Sequence, residues 1–340
     1  MTPNEALLAV WALLAVYSVM MAIDLGAGGF FAWAHLRGDG AVVRVVERYA
    51  TPVWESVNTF LVLLLLAMEA FFPKVINLYA SILLVPLGVT FALLSIRQVG
   101  FAMRHHDPPA GRRLSRYVNP VLIGGVGLLV PLPAMTFFSV LQGHGFRLVH
   151  GTPRYTVWGL VGQPLTLMLM VLALAAEVHM AATFLTWFAE LMGEGGARAR
   201  LSRSAQWFGL AMAVAALAAL AIYLRTVPAA VHAVRAEAWL WVLALASLAA
   251  SLLARPWGVR GIWPVILSGV ALLSGYMGLG GAQLPYLVRG YVTTAQAYTS
   301  GAMAHDLSVV FGLGFVFVVL PCVALLTAYL VTGAKERATR

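Results

Sequence analysis

Nine apolar stretches of about 17–30 residues follow one another along this chain, and each matches the helix length that crosses ~30 Å of hydrocarbon. They fall at 5–35, 53–72, 75–101, 118–141, 158–191, 204–224, 238–254, 262–287 and 306–331. In lipid every backbone polar group has to be satisfied within the protein, so such stretches fold as helices. The expected fold is an all-α membrane protein of nine transmembrane helices. Composition agrees: 61% of residues are hydrophobic, 10% are charged, and mean hydropathy is +0.87.

Basic residues then set the orientation. Fifteen of the 22 Lys and Arg residues lie in the connections after spans one, three, five and seven or in the C-terminal tail, among them Arg44, Arg104, Arg198, Arg200 and Lys335, and Arg97 lies near the same end within span three. The positive-inside rule therefore puts the N-terminus outside and the C-terminus in the cytoplasm. The same rule accounts for the net charge of +9 without a nucleic-acid partner. The single cysteine, Cys322, lies in an apolar run and reads as a small core residue.

Spans one to four align with spans five to eight. Asp24 falls opposite Glu177, Trp33 opposite Trp187, Gly38-Asp39-Gly40 opposite Gly193-Glu194-Gly195, and Arg97 opposite Arg255. Pro120-Val121-Leu122-Ile123-Gly124 matches Pro264-Val265-Ile266-Leu267-Ser268. An even number of spans per copy keeps both copies in one orientation. The expected organisation is two parallel-related four-helix bundles, 1–141 and 142–287, followed by a ninth helix and cytoplasmic tail over 288–340.

Acids within the apolar stretches are the candidate functional groups. Asp24 lies in Ala22-Ile23-Asp24-Leu25-Gly26-Ala27-Gly28-Gly29, and Glu55 opens the second stretch in Pro52-Val53-Trp54-Glu55. A carboxylate at mid-helix in a membrane costs about 2.5–3.5 kcal/mol on insertion scales, and such acids commonly serve protons or ions. The structural alternatives are an Asp24 neutralised by a partner such as Arg97 and a Glu55 that complements a helix N-terminus. Glu177 lies near the middle of span five. His179, two residues on, faces a different side of the same helix. Glu69 reads as an interfacial acid, Asp306 as an N-cap of span nine, and His105 and His106 as solvated loop residues. A bis-histidine haem needs paired deep histidines on facing helices, and His179 alone is deep. No cofactor or metal ligand set is therefore expected in this chain.

Asp24-Leu25-Gly26-Ala27-Gly28 resembles the Asp-x-Gly-x-Gly motif in the first helix of subunit II of cytochrome bd-type quinol oxidases. Pro52-Val53-Trp54-Glu55 is similar to that family's Pro-x-Trp-(Asp/Glu) motif. Arg97-Gln98-Val99-Gly100-Phe101-Ala102-Met103-Arg104 resembles its Arg-x-Val-x-Phe-(Asp/Glu)-x-Arg segment, with Ala102 where an acid is common. Pro321 and Ala328-Tyr329 are similar to the last helix, and Asn58 departs from a tighter Trp-Asp-x-Asn spacing.

The resemblance implies a heterodimer in the bacterial or archaeal cell (inner) membrane that oxidises quinol and reduces dioxygen to water. It places two b-type haems and a d-type haem in the partner, subunit I, and allows small single-helix subunits as further partners. It also implies that the acids matching Asp24 and Glu55 deliver protons from the cytoplasm. The residues themselves add Arg97, as a charge that biases the proton affinity of these acids, and Glu177 as a further candidate. The competing expectation from the residues is a stand-alone proton-coupled transporter, which would work without a partner through a broken-helix site.

Overall fold

The computed structural model describes residues 1–105, 118–228, 230–254, 259, 261–299, 301–314 and 324. The side chains of 49–56, Asn58 and a few other helical positions lie outside that description, and Glu55 is among them.

Helix α1 (Pro3–Leu36) starts at a reciprocal cap. The Glu5 N–H donates to Thr2 Oγ1 at 3.3 Å, and the Thr2 N–H donates to Glu5 Oε2 at 2.8 Å. Two donors left over by helix geometry are thereby satisfied. The helix stops at Arg37-Gly38, where Gly38 turns left-handed at φ +71°. Asp39 then caps α2 (Gly40–Phe71), accepting from Val42 N–H at 3.3 Å. Pro73 opens α3 (Pro73–His105), which also contains Pro86.

Region α4 (Val118–Leu141) is a single span of mixed winding, with a π-helical turn at Val121–Gly125. It leads to a hairpin of β1 (Phe146–Val149) and β2 (Thr152–Tyr155), then to the short α5 (Val157–Val161). Helices α6 (Pro164–Leu191) and α7 (Gly195–Thr226) follow, then α8 (Ala230–Ala236), α9 (Ala238–Ala254) and α10 (Trp263–Gln283). A second hairpin, β3 (Tyr286–Val288) and β4 (Val292–Thr293), leads to α11 (Thr294–Ala297) and α12 (Gly301–Gly314). Hairpin and short helix thus follow span eight as they follow span four.

Among the described residues, six helices are long and apolar enough to cross a membrane, and α8 with α9 forms a seventh, bent by 67°. Expected span two lies within α2 but includes side chains outside the description, and expected span nine runs into residues outside it. The boundaries differ from the sequence reading in two instructive places. Helix α2 begins at Gly40, well before the apolar stretch, because Arg44, Glu47 and Arg48 continue the helix out of the apolar zone. Glu55 is therefore interior to a long helix and complements no N-terminus. Asp306 lies inside α12, not at its cap, because the helix starts at Gly301.

Helix α1 is the hub, packing against α2, α4, α6 and α10. Its contacts are made through glycine. A Cβ on Gly26 would strike the Glu177 carbonyl of α6, one on Gly28 would lie 2.8 Å from the Ile123 carbonyl, and one on Gly124 would strike the Gly28 carbonyl. Small residues let membrane helices approach to backbone contact, which is where their association energy arises. A large apolar cluster at one end gathers Trp11, Phe72, Tyr79, Phe138 and Leu160 with the hairpin residue Leu287. A second cluster, with Leu25, Phe31, Phe101, Ile123 and Phe188, surrounds the buried acids. Outward-facing Val62, Leu66, Leu84, Val214, Leu217 and Val242 are exposed, as a surface solvated by lipid tails or a membrane partner requires.

The end of the molecule carrying Arg44 and Arg200 is tied by two reciprocal ion pairs. Asp39 before α2 pairs with Arg200 of α7 at 2.7 Å, while Glu194 before α7 pairs with Arg44 of α2 at 2.9 Å. At the opposite end Gln142 Nε2 donates to Gln283 Oε1 at 2.9 Å, joining the ends of α4 and α10.

Candidate proton site around Asp24 and Arg97

Asp24 is 3% exposed and Arg97 is 1% exposed, and Arg97 Nη1 donates to Asp24 Oδ2 at 2.8 Å. Arg97 Nη2 also donates to the Asp24 backbone carbonyl at 3.3 Å, and Nε donates to the Ile123 carbonyl at 3.2 Å. The guanidinium lies over the Phe101 ring, 5.0 Å from its centroid, one turn along the same helix. Three helices thus converge on one charge: α1 supplies the acid, α3 the base, and the π-helical turn of α4 a carbonyl.

Local sequence explains the convergence. A π-turn displaces the regular carbonyl-to-amide pattern, and the Ile123 oxygen is there to accept Arg97. Gly127, a turn further, leaves room for the guanidinium, since a Cβ there would stand 3.2 Å from Nε. Gly28 and Gly124 bring α1 and α4 close enough for Arg97 to bridge both. The glycines of Gly26-Ala27-Gly28-Gly29 are accordingly packing residues that also define the depth of the site.

Burying two charges is costly, and their attraction repays the cost only with good geometry and further hydrogen bonds. Arg97 meets that requirement with three acceptors on two helices. Removing Arg97 would leave the Asp24 carboxylate buried without its counter-charge.

Glu177 joins this pair from α6. It is 4% exposed, its backbone carbonyl packs on Gly26, and it lies within electrostatic range of both Arg97 and Asp24. Its Oε2 has no hydrogen-bond partner among the described residues. Sequence alignment of the two halves matched Asp24 to Glu177; the structure places the two matched acids side by side where α1 crosses α6. Glu55 lies on α2, with its side chain outside the described residues.

His179 faces away from this cluster, as its two-residue spacing from Glu177 predicts. Its Nδ1 meets the Ala205 carbonyl at 2.8 Å and its Nε2 meets Ser268 Oγ at 2.9 Å. Both ring nitrogens of the deep histidine are therefore engaged by protein. No group of three or more His, Cys, Asp or Glu suited to a metal ion occurs among the described residues. Glu69 is exposed near the end of α2. Residues 106–117, Arg255, Cys322 and the tail lie outside the description.

Residues 4–331 match the family model of cytochrome bd terminal oxidase subunit II. The chain belongs to that family. It is 22% identical over 326 residues to a putative cytochrome bd menaquinol oxidase subunit II of Bacillus subtilis (strain 168), covering 92% of each chain. It also superposes on a chain of the bd oxidase structure from Geobacillus thermodenitrificans with a TM-score of 0.83 and 27% identity, covering 98% of this chain and 99% of that one. This member of the subunit II family is a membrane-integral component of a terminal oxidase, an oxidoreductase complex. The fold similarity extends over nearly the whole chain and so includes the helices α1, α3 and α6 that carry Asp24, Arg97 and Glu177.

Proposed function

We propose that this subunit delivers protons from the cytoplasm toward the haem-bearing subunit I, through Glu55 and the Asp24–Arg97 pair, while quinol is oxidised and dioxygen reduced to water. The two b-type haems and one d-type haem of the partner would supply electron transfer to dioxygen. Reduction of dioxygen to water consumes protons, so a route through apolar protein is required. Asp24 and Arg97, buried in hydrogen-bonding contact and with a second carboxyl in range, are the observation that carries the proposal.

Charge arithmetic gives the pair its chemistry. Two carboxyls, Asp24 and Glu177, face one guanidinium, so the cluster is neutral when the carboxyls together hold one proton. A proton arriving from Glu55 can be accepted and released with Arg97 keeping the local charge balanced. The positive-inside distribution supports a cytoplasmic Arg44 and Arg200 end, and hence a cytoplasmic entry side. Family membership favours this reading over a stand-alone transporter.

The two-bundle organisation, 1–141 and 142–287 with 288–340 added, belongs to the same reading. The reciprocal pairs Asp39–Arg200 and Glu194–Arg44 support it, because a two-fold arrangement makes residue i meet j′ while j meets i′. The repeated hairpins and the Gln142–Gln283 contact fit the same pseudo-axis.

The test is Asp24→Asn in the assembled two-subunit complex. Asparagine keeps the size and part of the hydrogen bonding but removes the titratable proton. Expected are normal reduced-haem spectra with slowed quinol turnover and slowed proton uptake. Wild-type turnover with unchanged proton uptake would make Asp24 structural and overturn the route.

A further inference from the structure

A cavity of about 350 Å³ opens at the arginine-rich end between α6, α7 and the start of α10. Thr186, Glu190, Arg198, Ser202, Gly261 and Pro264 line it. Glu190 Oε2 accepts from the Gly261 N–H at 3.4 Å and lies 3.8 Å from Arg198 Nε. About half of the lining is polar, and the space is large enough for several waters. Behind its wall runs a continuous polar line. Ser251 Oγ meets the Pro264 carbonyl at 2.8 Å, Ser251 and Ser268 Oγ atoms are 2.8 Å apart, Ser268 Oγ is 2.9 Å from His179 Nε2, and Nδ1 is 2.8 Å from the Ala205 carbonyl. Ser251, Ser268 and His179 are all at most 2% exposed.

Both ends of this line are carbonyls, which only accept. Four contacts therefore need four protons. A neutral imidazole and two hydroxyls supply three, so one contact is always left unmade. An imidazolium supplies the fourth: Nδ1 donates to Ala205, Nε2 to Ser268, Ser268 to Ser251 and Ser251 to Pro264. Gly209 of α7 leaves room for the ring, since a Cβ there would lie 2.7 Å from Nδ1.

We propose that His179 is a proton-loading site, reached from the Glu190–Arg198 cavity through Ser251 and Ser268. A proton from cavity water passes to Ser251 Oγ as the Ser251 hydroxyl proton moves to Ser268 Oγ and the Ser268 proton moves to Nε2. One proton enters, one N–H bond forms, and each hydroxyl is restored. The other ionisable groups around the ring are few. Helices α9 and α10 carry no Asp, Glu, Lys or Arg, and α10 offers Tyr276. Helix α7 carries Arg198, Arg200 and Arg203 on the approach, of which Arg203 is exposed and Arg200 is held by Asp39. The carboxyls are Glu177 on the same helix, turned to the far side, Asp24 on α1, and Glu190 at the cavity. This line lies in the second half of the chain and is separate from the Asp24–Arg97 site, so the assignment stands or falls independently of the route proposed above.

The experiment uses the complete oxidase complex with isotope-labelled histidine, titrated by infrared difference spectroscopy. An imidazolium signal that His179→Gln removes is expected. Ser268→Ala should weaken proton affinity by at least about tenfold, as loss of a hydrogen bond to a charged group does, moving the midpoint down by about one pH unit. Ser251→Ala should move it in the same direction by less and slow protonation after a pH jump. Should His179→Gln fail to assemble, the Ser268→Ala shift identifies the signal in its place. A complex with no titrating signal that responds to Ser268→Ala, or a His179 signal that stays neutral throughout pH 5–9, overturns the proposal. Turnover and proton uptake of Asp24→Asn are not involved in either outcome.

Discussion

Arg97 Nη1 lies 2.8 Å from Asp24 Oδ2, and the same guanidinium also holds carbonyls of α1 and α4. One side chain from α3 therefore fastens two other helices where both charges are out of reach of solvent. Arg97→Met should destabilise the complex by about 3–5 kcal/mol, because it strands the Asp24 carboxylate without its counter-charge. Combining Arg97→Met with Asp24→Asn should recover part of that loss, since no buried charge then remains on the pair itself. Thermal inactivation of the purified complex, followed through its haem absorbance, measures both. Equal stability of the single and double variants would show that Arg97 acts through its carbonyl contacts alone.

Glycine substitutions separate packing from composition. Gly124→Ala drives a methyl into the Gly28 carbonyl and moves the Ile123 oxygen away from Arg97, so assembly of the complex should fall severely. Gly269 and Gly275 have open space where a Cβ would stand. Alanine at either position should be neutral or slightly stabilising, by up to ~1 kcal/mol from helix propensity. Yield of assembled complex per unit of membrane distinguishes the cases.

The apolar stretches made most of the helices legible, because lipid-exposed backbone permits little else. Residue type also flagged Asp24, Arg97 and Glu177. What stayed hidden was long-range or local in ways that hydropathy does not record. The approach of Glu177 to Asp24 depends on α1 crossing α6 at Gly26, more than 150 residues apart in sequence. The carbonyl of Ile123 reaches Arg97 beside a π-turn that leaves no mark in composition. The early start of α2 escaped because its first turns are charged, and the hydropathy pattern follows the membrane where the helix follows its Asp39 cap. The His179 line was missed because serines in α9 and α10 look like ordinary small packing residues; the clue available was two serines and a histidine inside otherwise apolar stretches.

Glu55 can be placed on its route by two substitutions. Glu55→Asp keeps a titratable group and should retain much of the quinol-driven oxygen consumption. Glu55→Gln removes it and should slow turnover less than Asp24→Asn, because water near the entry side can partly replace a carboxylate there. Rates compared across pH 6–8 in proteoliposomes give the order. A Glu55→Asp variant as slow as Glu55→Gln would point to side-chain length, not proton exchange, as what matters at that position.

Glu177 provides the strictest check on the cluster. With Asp24 neutralised as asparagine, Glu177 is the remaining buried carboxyl in electrostatic range of Arg97. With Glu177→Gln, Asp24 still pairs directly at 2.8 Å. Each single variant therefore leaves the guanidinium one acid to balance it, and each should assemble with modest loss of stability. The double variant, Asp24→Asn with Glu177→Gln, removes both and leaves Arg97 buried with neutral acceptors only. Its loss should exceed the sum of the singles by about 0.5–3 kcal/mol, the range found for groups sharing one network. A double-mutant cycle on thermal inactivation reads this coupling directly. Strict additivity would mean that Glu177 does not share the charge balance of Arg97, and the two-carboxyl account of proton exchange at Asp24 would then have to be abandoned.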